Sequence, residues 1–321
     1  MKLPTLKVLE QAANLVHKTI PPTPQICWPL LSQRIGAEVW LKHENHTPVG
    51  AFKIRGGLAY FHELKRQQPE INGVIAATRG NHGQSIAFAA QCHNLHVVVV
   101  VPHGNSREKN AAMRVRGVEL IEHGYDFQEA LEYAAALAED RGLHFVPSFH
   151  QDLVTGVASY SLELFRAVAN IDTLYVPIGL GSGICGAIAV RDALGLDTEI
   201  VGVGASAAPA YTESFNQRRP VSMAVAPTVA DGMACRTPHP EAFELILDGV
   251  ARIVSVDEDE IRSAMRHLFT DTHNVAEGAG AAALAAAIKE DERIQGQRIA
   301  VILTGGNVDK SVFADILSED E

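Results

Sequence analysis

Only four cysteines, at positions 27, 92, 185 and 235, occur in 321 residues, and no two form a CxxC pair. That scarcity excludes a disulfide-stapled scaffold and points to free thiols in a reducing compartment. Basic residues are also in deficit, 27 against 38 acidic ones, for a net charge of −11. Such a balance repels phosphate backbones and anionic membranes, so neither nucleic acid nor a membrane is an expected partner. No apolar run approaches the roughly 20 residues needed to span a bilayer. The opening segment MKLPTLK (1–7) has no continuous apolar stretch of the kind a secretion signal carries. The expectation is a cytoplasmic protein. Internal repeats, low-complexity linkers and long charged tracts are missing too. The acidic runs DEDE (257–260) and EDE (319–321) read as a helix N-terminus and a frayed chain end.

What is present is apolar surface: 47% of the residues are hydrophobic, enough for a large core and two domains. Apolar β-branched runs alternate with alanine-rich amphipathic stretches, the pattern of parallel sheets covered by helices, so the fold class is α/β. Strands are expected at 39–42, 73–77, 96–101, 119–122, 173–178, 199–203, 252–256 and 299–303. Most are continuously hydrophobic, as strands buried on both faces are. Helices are expected at 52–66, 84–92, 107–116, 127–141, 154–169, 257–269 and 277–288. The alanine run 279–287 reads as a close-packed core helix.

Four segments carry chemistry. In KHENHTPVGAFKIRGG (42–57) a strand turns through Pro48 and Gly50 into a helix, placing Lys53 in the first turn. The helix dipole disfavours an ammonium there and so favours a nucleophilic amine, although a solvated surface lysine has the same spacing. In AATRGNHGQS (76–85) a strand ends in a polar turn. Its backbone N–H groups, with Thr78 and Asn81, suit an anion such as a carboxylate, while a helix N-cap explains Asn81 alone. PIGLGSGICG (177–186) is a glycine-rich turn into a helix, suited to a phosphate. It also satisfies GxGxxG, but the only acid of the following strand, Glu199, stands at the wrong end to hold a ribose, which favours a phosphate cup over a dinucleotide cleft. VILTGGN (301–307) ends a buried strand on Thr304, a hydroxyl at a sharp turn that a capping role also explains.

Lysine, carboxylate turn, phosphate cup and terminal hydroxyl, in this order, resemble the fold-type II pyridoxal-phosphate enzymes, and among them the threonine/serine dehydratases and serine racemases. The resemblance runs from about residue 21 to 311 and includes ADG (230–232) and AEGAG (276–280). It implies pyridoxal 5'-phosphate as cofactor, held by Lys53 as a Schiff base with Phe52 beside the ring. Asn81 matches the residue bonded to the ring hydroxyl. Thr78, Arg79, Gly80, Asn81 and His82 match the loop that closes on the substrate carboxylate. Gly179, Leu180, Gly181, Ser182 and Gly183 match the phosphate loop, and Thr304 the hydroxyl facing the pyridine nitrogen.

The resemblance further implies a two-domain architecture like the tryptophan synthase β chain. Residues 1–45 and 148–321 form a large cofactor domain, and 46–147 a small mobile domain that closes on substrate. The implied reaction is dehydration and deamination of a β-hydroxy amino acid, threonine or serine by default and phenylserine or 3-hydroxyaspartate as alternatives, to a 2-oxo acid and ammonia. A neutral hydroxyl at Thr304, in place of a carboxylate, suits prompt loss of a β leaving group. A homodimer without an appended regulatory domain is expected.

Two departures from the family pattern stand out. Arg79 occupies the place where serine racemases carry a serine, and an always-charged guanidinium is no base at neutral pH, which speaks against racemisation. Arg79 either pairs with a protein carboxylate or offers a fork to a second substrate carboxylate. The segment GASAAPA (204–210) holds no acidic ligand where metal-dependent relatives have them, and the 14 histidines show no ligand spacing, so no metal is expected. His43, His46 and His82 read as polar neighbours of the site. Rival functions are a cofactor-binding protein without turnover, which should lack the lysine or the carboxylate loop, and a β-replacement synthase, which needs a second nucleophilic substrate.

Overall fold

Strands that are apolar on both faces need helices on both sides, and the computed structural model, which describes residues 1–319, has two sheets so covered. The strands are β1 (Gln25–Cys27), β2 (Glu38–His43), β3 (Gly73–Ala77), β4 (His96–Val101), β5 (Glu119–Glu122), β6 (His144–Phe145), β7 (Thr173–Pro177), β8 (Glu199–Ala205), β9 (Arg252–Val256) and β10 (Arg298–Leu303). The larger sheet has the order β1-β2-β10-β7-β8-β9 and the smaller β5-β4-β3-β6. Every pairing is parallel except the antiparallel edge β1–β2. All eight expected strands form. β1 and β6, three and two residues long, are too short to show a period.

One face of the large sheet is closed by the helices Glu258–Thr272 and Gly278–Lys289, the other by Gln151–Ala167 and Ser182–Leu194. The alanine helix is buried from Gly278 to Ala287, as its composition suggests. Its small residues let its start press on neighbouring backbone, since a Cβ on Gly280 would lie 2.3 Å from the Gly305 carbonyl oxygen. On the small sheet, Lys53–Gln67 and Asn81–Gln91 pack on one face and Phe127–Arg141 on the other.

Helix starts differ from expectation where function lies. The second helix of the small sheet begins at Asn81, with Gly80 at φ 152° as its N-cap, so Asn81 is not itself the cap. The acidic run 257–260 is a helix N-terminus as expected: Asp257 and Glu260 form a reciprocal capping box. At the chain end Glu319 accepts from Arg262 and Arg266 and is therefore not frayed, while Asp320 and Glu321 lie outside the described residues. Six helices absent from the sequence reading, Leu6–His17, Pro29–Ile35, Ala210–Gln217, Pro240–Gly249, Asp291–Ile294 and Lys310–Leu317, pad the periphery.

Candidate active site

The carboxyl ends of β3, β7 and β10 open onto one cavity of about 710 Å³ between the sheets. Phe52, Lys53, the loop Thr78–Arg79–Gly80–Asn81–His82, the turn Gly179–Leu180–Gly181–Ser182–Gly183 and Thr304 all line it. Strands of both sheets thus bring together segments more than 200 residues apart in the chain.

Lys53 is the first residue of its helix, and its Nζ donates to Ser182 Oγ at 3.0 Å. Burial pushes the amine down to about 8, so near neutrality a sizeable fraction is the uncharged nucleophile. The backbone carbonyl of Lys53 accepts from Ser85 Oγ at 2.6 Å, and the amide of Phe52 donates to the Thr304 carbonyl at 3.0 Å. Those two bonds hold the start of the lysine helix to the small sheet on one side and to β10 on the other. The Phe52 ring meets Tyr160 edge-on at 6.0 Å, and Tyr160 donates to the Gly183 carbonyl at 3.2 Å.

The helix Ser182–Leu194 starts from Gly181 at φ 102°, a backbone conformation that costs other residues on the order of 1–3 kcal/mol. The first amides of a helix have no intrahelical acceptor and point along its positive end, here into the cavity. A side chain at Gly179 would meet the Gly232 carbonyl oxygen at 2.5 Å. The bare backbone of this turn is therefore a cradle for a compact anion.

Asn81 donates through Nδ2 to Glu277 at 2.6 Å and accepts through Oδ1 from Asn307 at 2.9 Å. One Nδ2 proton stays free to face a cofactor. Glu277 is buried, which pushes its carboxyl up, and Lys109 at 3.4 Å opposes that shift. Burial also works against the Lys109 ammonium, but Glu277 and Asp231, the latter at 2.8 Å, outweigh it and raise its pKa. Asn307, Asn81, Glu277, Lys109 and Asp231 thus form one polar chain along the cavity wall. The sequence reading missed Lys109, which lies on an ordinary amphipathic helix. In the sequence Asp231 and Glu277 stand only as parts of the short signatures 230–232 and 276–280, with no role attached.

Thr78 Oγ1 accepts from the amides of Gly80 at 2.9 Å and Gly83 at 3.2 Å, fixing the shape of the loop. His82 is buried, and desolvation plus the neighbouring Lys53 charge push it down to about 3, so it is neutral; its Nε2 finds no partner. Thr304 is buried and its hydroxyl donates to the Ala279 carbonyl at 3.3 Å, which replaces the capping reading. Arg79 lines the cavity, and among the described residues no hydrogen bond or ion pair reaches it; its Nε is buried without a partner. The pairing of Arg79 with a protein carboxylate is therefore corrected. His43 and His46 stack on each other 4.9 Å apart, beside Trp28 and Asn274, and do not line the cavity, so of the three histidines only His82 neighbours the site.

A buried amine of low pKa, a glycine cradle at a helix start and an orphaned imidazole nitrogen suit an aldehyde cofactor bearing a phosphate. The family of pyridoxal-phosphate-dependent enzymes matches residues 16–305, and the chain belongs to it; its cofactor is pyridoxal 5'-phosphate. Among its relatives is the L-threonine ammonia-lyase of Thermotoga maritima, 31% identical over 319 residues, which are 98% of this chain and 78% of that one. The L-threo-3-hydroxyaspartate ammonia-lyase of Saccharomyces cerevisiae is 29% identical over 322 residues, 100% of this chain and 98% of that one. The structure of the processed form of threonine deaminase isoform 2 from Solanum lycopersicum superposes with a TM-score of 0.88 at 27% identity, covering 99% of this chain and 98% of that one. This fold is that of the fold-type II pyridoxal-phosphate enzymes. Several other curated relatives are longer, and the chain spans about half their length.

Proposed function

We propose that this chain eliminates the hydroxyl group of a β-hydroxy α-amino acid and releases a 2-oxo acid and ammonia. The observation that carries the reading is the low-pKa Lys53 amine, bonded to Ser182 in the same cavity as the 78–82 loop. Bound pyridoxal phosphate supplies an electron sink for the charge that develops at the substrate Cα. The amides of 179–183 would hold its phosphate, Phe52 would pack beside its ring, and Asn81 and Thr304 would offer it polar contacts.

The remaining steps belong to side chains. The amides of Asn81 and His82, at the positive end of the Asn81–Gln91 helix, and the Thr78 hydroxyl hold the α-carboxylate. That grip orients the Cα–H bond towards Lys53, whose uncharged amine takes the proton. Ser182 accepts from the resulting ammonium and holds it in place. Loss of Cα–H and of the β-hydroxyl forms a C=C bond; the enamine released takes up water and yields the 2-oxo acid and ammonia. The neutral His82 adds no charge that would compete for the carboxylate.

Two-oxo acid release from a panel of β-hydroxy amino acids tests the reading, and formation of 2-oxo acid from none of them refutes it. Activity is expected to survive exhaustive chelation, because 204–210 holds no carboxylate and no group of three or more metal-ligating side chains gathers among the described residues. A large loss that magnesium, calcium or manganese restores would contradict that expectation.

We also propose that residues 46–147 move as a unit on the rest, and that the protein is a cytoplasmic homodimer. Lys109–Asp231, Arg236–Asp126 and Ser106–Asp309 join the two parts across the cleft, which is where a closing motion would make and break contacts. The exposed Leu30, Phe269 and Val312 support an interface, and four free cysteines a reducing compartment. Among the described residues no helix is long and apolar enough to cross a membrane. Solution scattering reads both proposals about shape. A mass of two chains and a radius of gyration that shrinks with substrate are expected, and a single-chain mass or an unchanged radius refutes the corresponding one.

A further inference from the structure

The cavity holds four cationic side chains, Lys53, Arg79, Lys109 and Arg236, and three carboxylates, Asp126, Asp231 and Glu277. The carboxylates are all taken: Asp126 by Arg236, and Asp231 and Glu277 by Lys109. Lys53 is the cofactor lysine of the reading above. That leaves Arg79, half-buried, its Nε shielded and unbonded. In a chain of net charge −11 an acid to pair with it was readily at hand, and none stands there.

A guanidinium nitrogen shielded from water without a partner is unfavourable, and the balance is restored when an anion enters with the ligand. The α-carboxylate already has the amides of Asn81 and His82 and the Thr78 hydroxyl, all neutral donors. Arg79 therefore has a fork to spare for a second anion, and a guanidinium binds a carboxylate through two parallel N–H···O bonds.

We propose that Arg79 is a specificity-determining residue that binds a second carboxylate, and that the substrate is a dicarboxylic β-hydroxy amino acid such as 3-hydroxyaspartate. The proposal rests on the β-elimination reading and narrows it. Elimination from 3-hydroxyaspartate removes Cα–H and the Cβ hydroxyl, and after water uptake gives oxaloacetate and ammonia. The β-carboxylate stays on the product and takes no part in bond breaking; its role is to be recognised. Methyl or phenyl substituents at Cβ would leave the guanidinium unpaired, and a site built around a polar partner discriminates strongly against analogues that lack it.

The test compares kcat/KM for threo-3-hydroxyaspartate and for L-threonine in wild type, Arg79→Ala and Arg79→Lys, each checked for cofactor content by absorbance. Wild type is expected to prefer hydroxyaspartate, and Arg79→Ala to reduce the preference by roughly 100-fold, the effect of losing a bidentate charged contact. Arg79→Lys, a point charge without the fork, should recover part of it. Succinate, which has two carboxylates and no amine, should inhibit wild type competitively and lose about 10-fold or more in affinity in Arg79→Ala, while butyrate should not discriminate. An equal loss with both substrates would place Arg79 on the α-carboxylate or in the fold and overturn the proposal. So would a wild type that turns over threonine but not hydroxyaspartate, which would leave the elimination reading intact. If no β-hydroxy amino acid is turned over, the elimination reading itself fails, and succinate binding that is unchanged by Arg79→Ala overturns the proposal on its own.

Discussion

Lys53→Ala is expected to lose turnover by at least about 10⁴-fold and to lose covalent cofactor attachment, with secondary structure and unfolding midpoint close to wild type. The Lys53 side chain makes one hydrogen bond, to Ser182, and its removal costs on the order of 1 kcal/mol. Its backbone contacts, to Ser85 and within the helix, do not depend on the side chain. Chemistry and fold are therefore separable at this position. In wild type, borohydride reduction and peptide mapping should mark Lys53, and a label on another lysine would withdraw the assignment. The amine must be uncharged to attack an aldehyde, and burial has brought it to about 8. Cofactor uptake by the apoprotein should then speed up about tenfold per pH unit below 8 and level off above it. A rate that still climbs tenfold per unit between pH 8 and 10 would show an unperturbed lysine.

The regularity of the parallel sheet made the fold legible in the sequence. A strand buried on both faces is a continuous apolar run, as most of the eight expected strands are, and all eight form. β1 and β6 were hidden because pairing with a neighbour, rather than a pattern of their own, makes them strands. The site was legible where backbone geometry dictates residue type, as at Gly181, or where a strand must end in a turn, as at Thr78 and Thr304. It was illegible where long-range pairing decides. Nothing near Lys109 in the chain announces that it will lie between Asp231 and Glu277, 122 and 168 positions on. The same reason hid the solitude of Arg79, which is a statement about every acid that folds elsewhere.

Arg55, two residues beyond Lys53, is the most consequential of these long-range partnerships for stability. Its side chain is fully buried. Nε and one terminal nitrogen bond Glu44 at 2.7 and 3.0 Å, and both terminal nitrogens bond Glu163 at 2.5 and 3.0 Å; Ser159 and Thr23 complete the fork. Lys42 and His17 add to Glu163 at 2.6 and 2.7 Å. Burial works to lower the Arg55 pKa, yet the two carboxylates outweigh it and raise it. For Glu163 burial works against ionisation, and Arg55 with Lys42 overcomes it and lowers its pKa.

The network ties the end of β2, the lysine helix and the helix Gln151–Ala167 into one block behind the cavity. Arg55→Met keeps the apolar length but leaves two carboxylates short of charge, and removal of one partner of a buried pair costs about 3–5 kcal/mol. Cofactor affinity should fall with it, because the start of the lysine helix loses an anchor. The sign of the pH dependence identifies the cause. Wild-type Glu163, with its pKa depressed, contributes stability that is present above the unfolded carboxylate value and is lost as pH falls through the folded one. A carboxylate left unpaired by the variant behaves in the opposite way, since it is relieved by protonation. The gap between wild type and Arg55→Met in urea unfolding should therefore be widest near pH 7 and narrow towards pH 5. Adding Glu44→Gln to Arg55→Met should recover part of the loss, because it removes one of the charges the guanidinium had balanced. A gap that does not change with pH, together with no recovery in the double variant, would mean that Arg55 acts by filling space and that its charge contributes nothing.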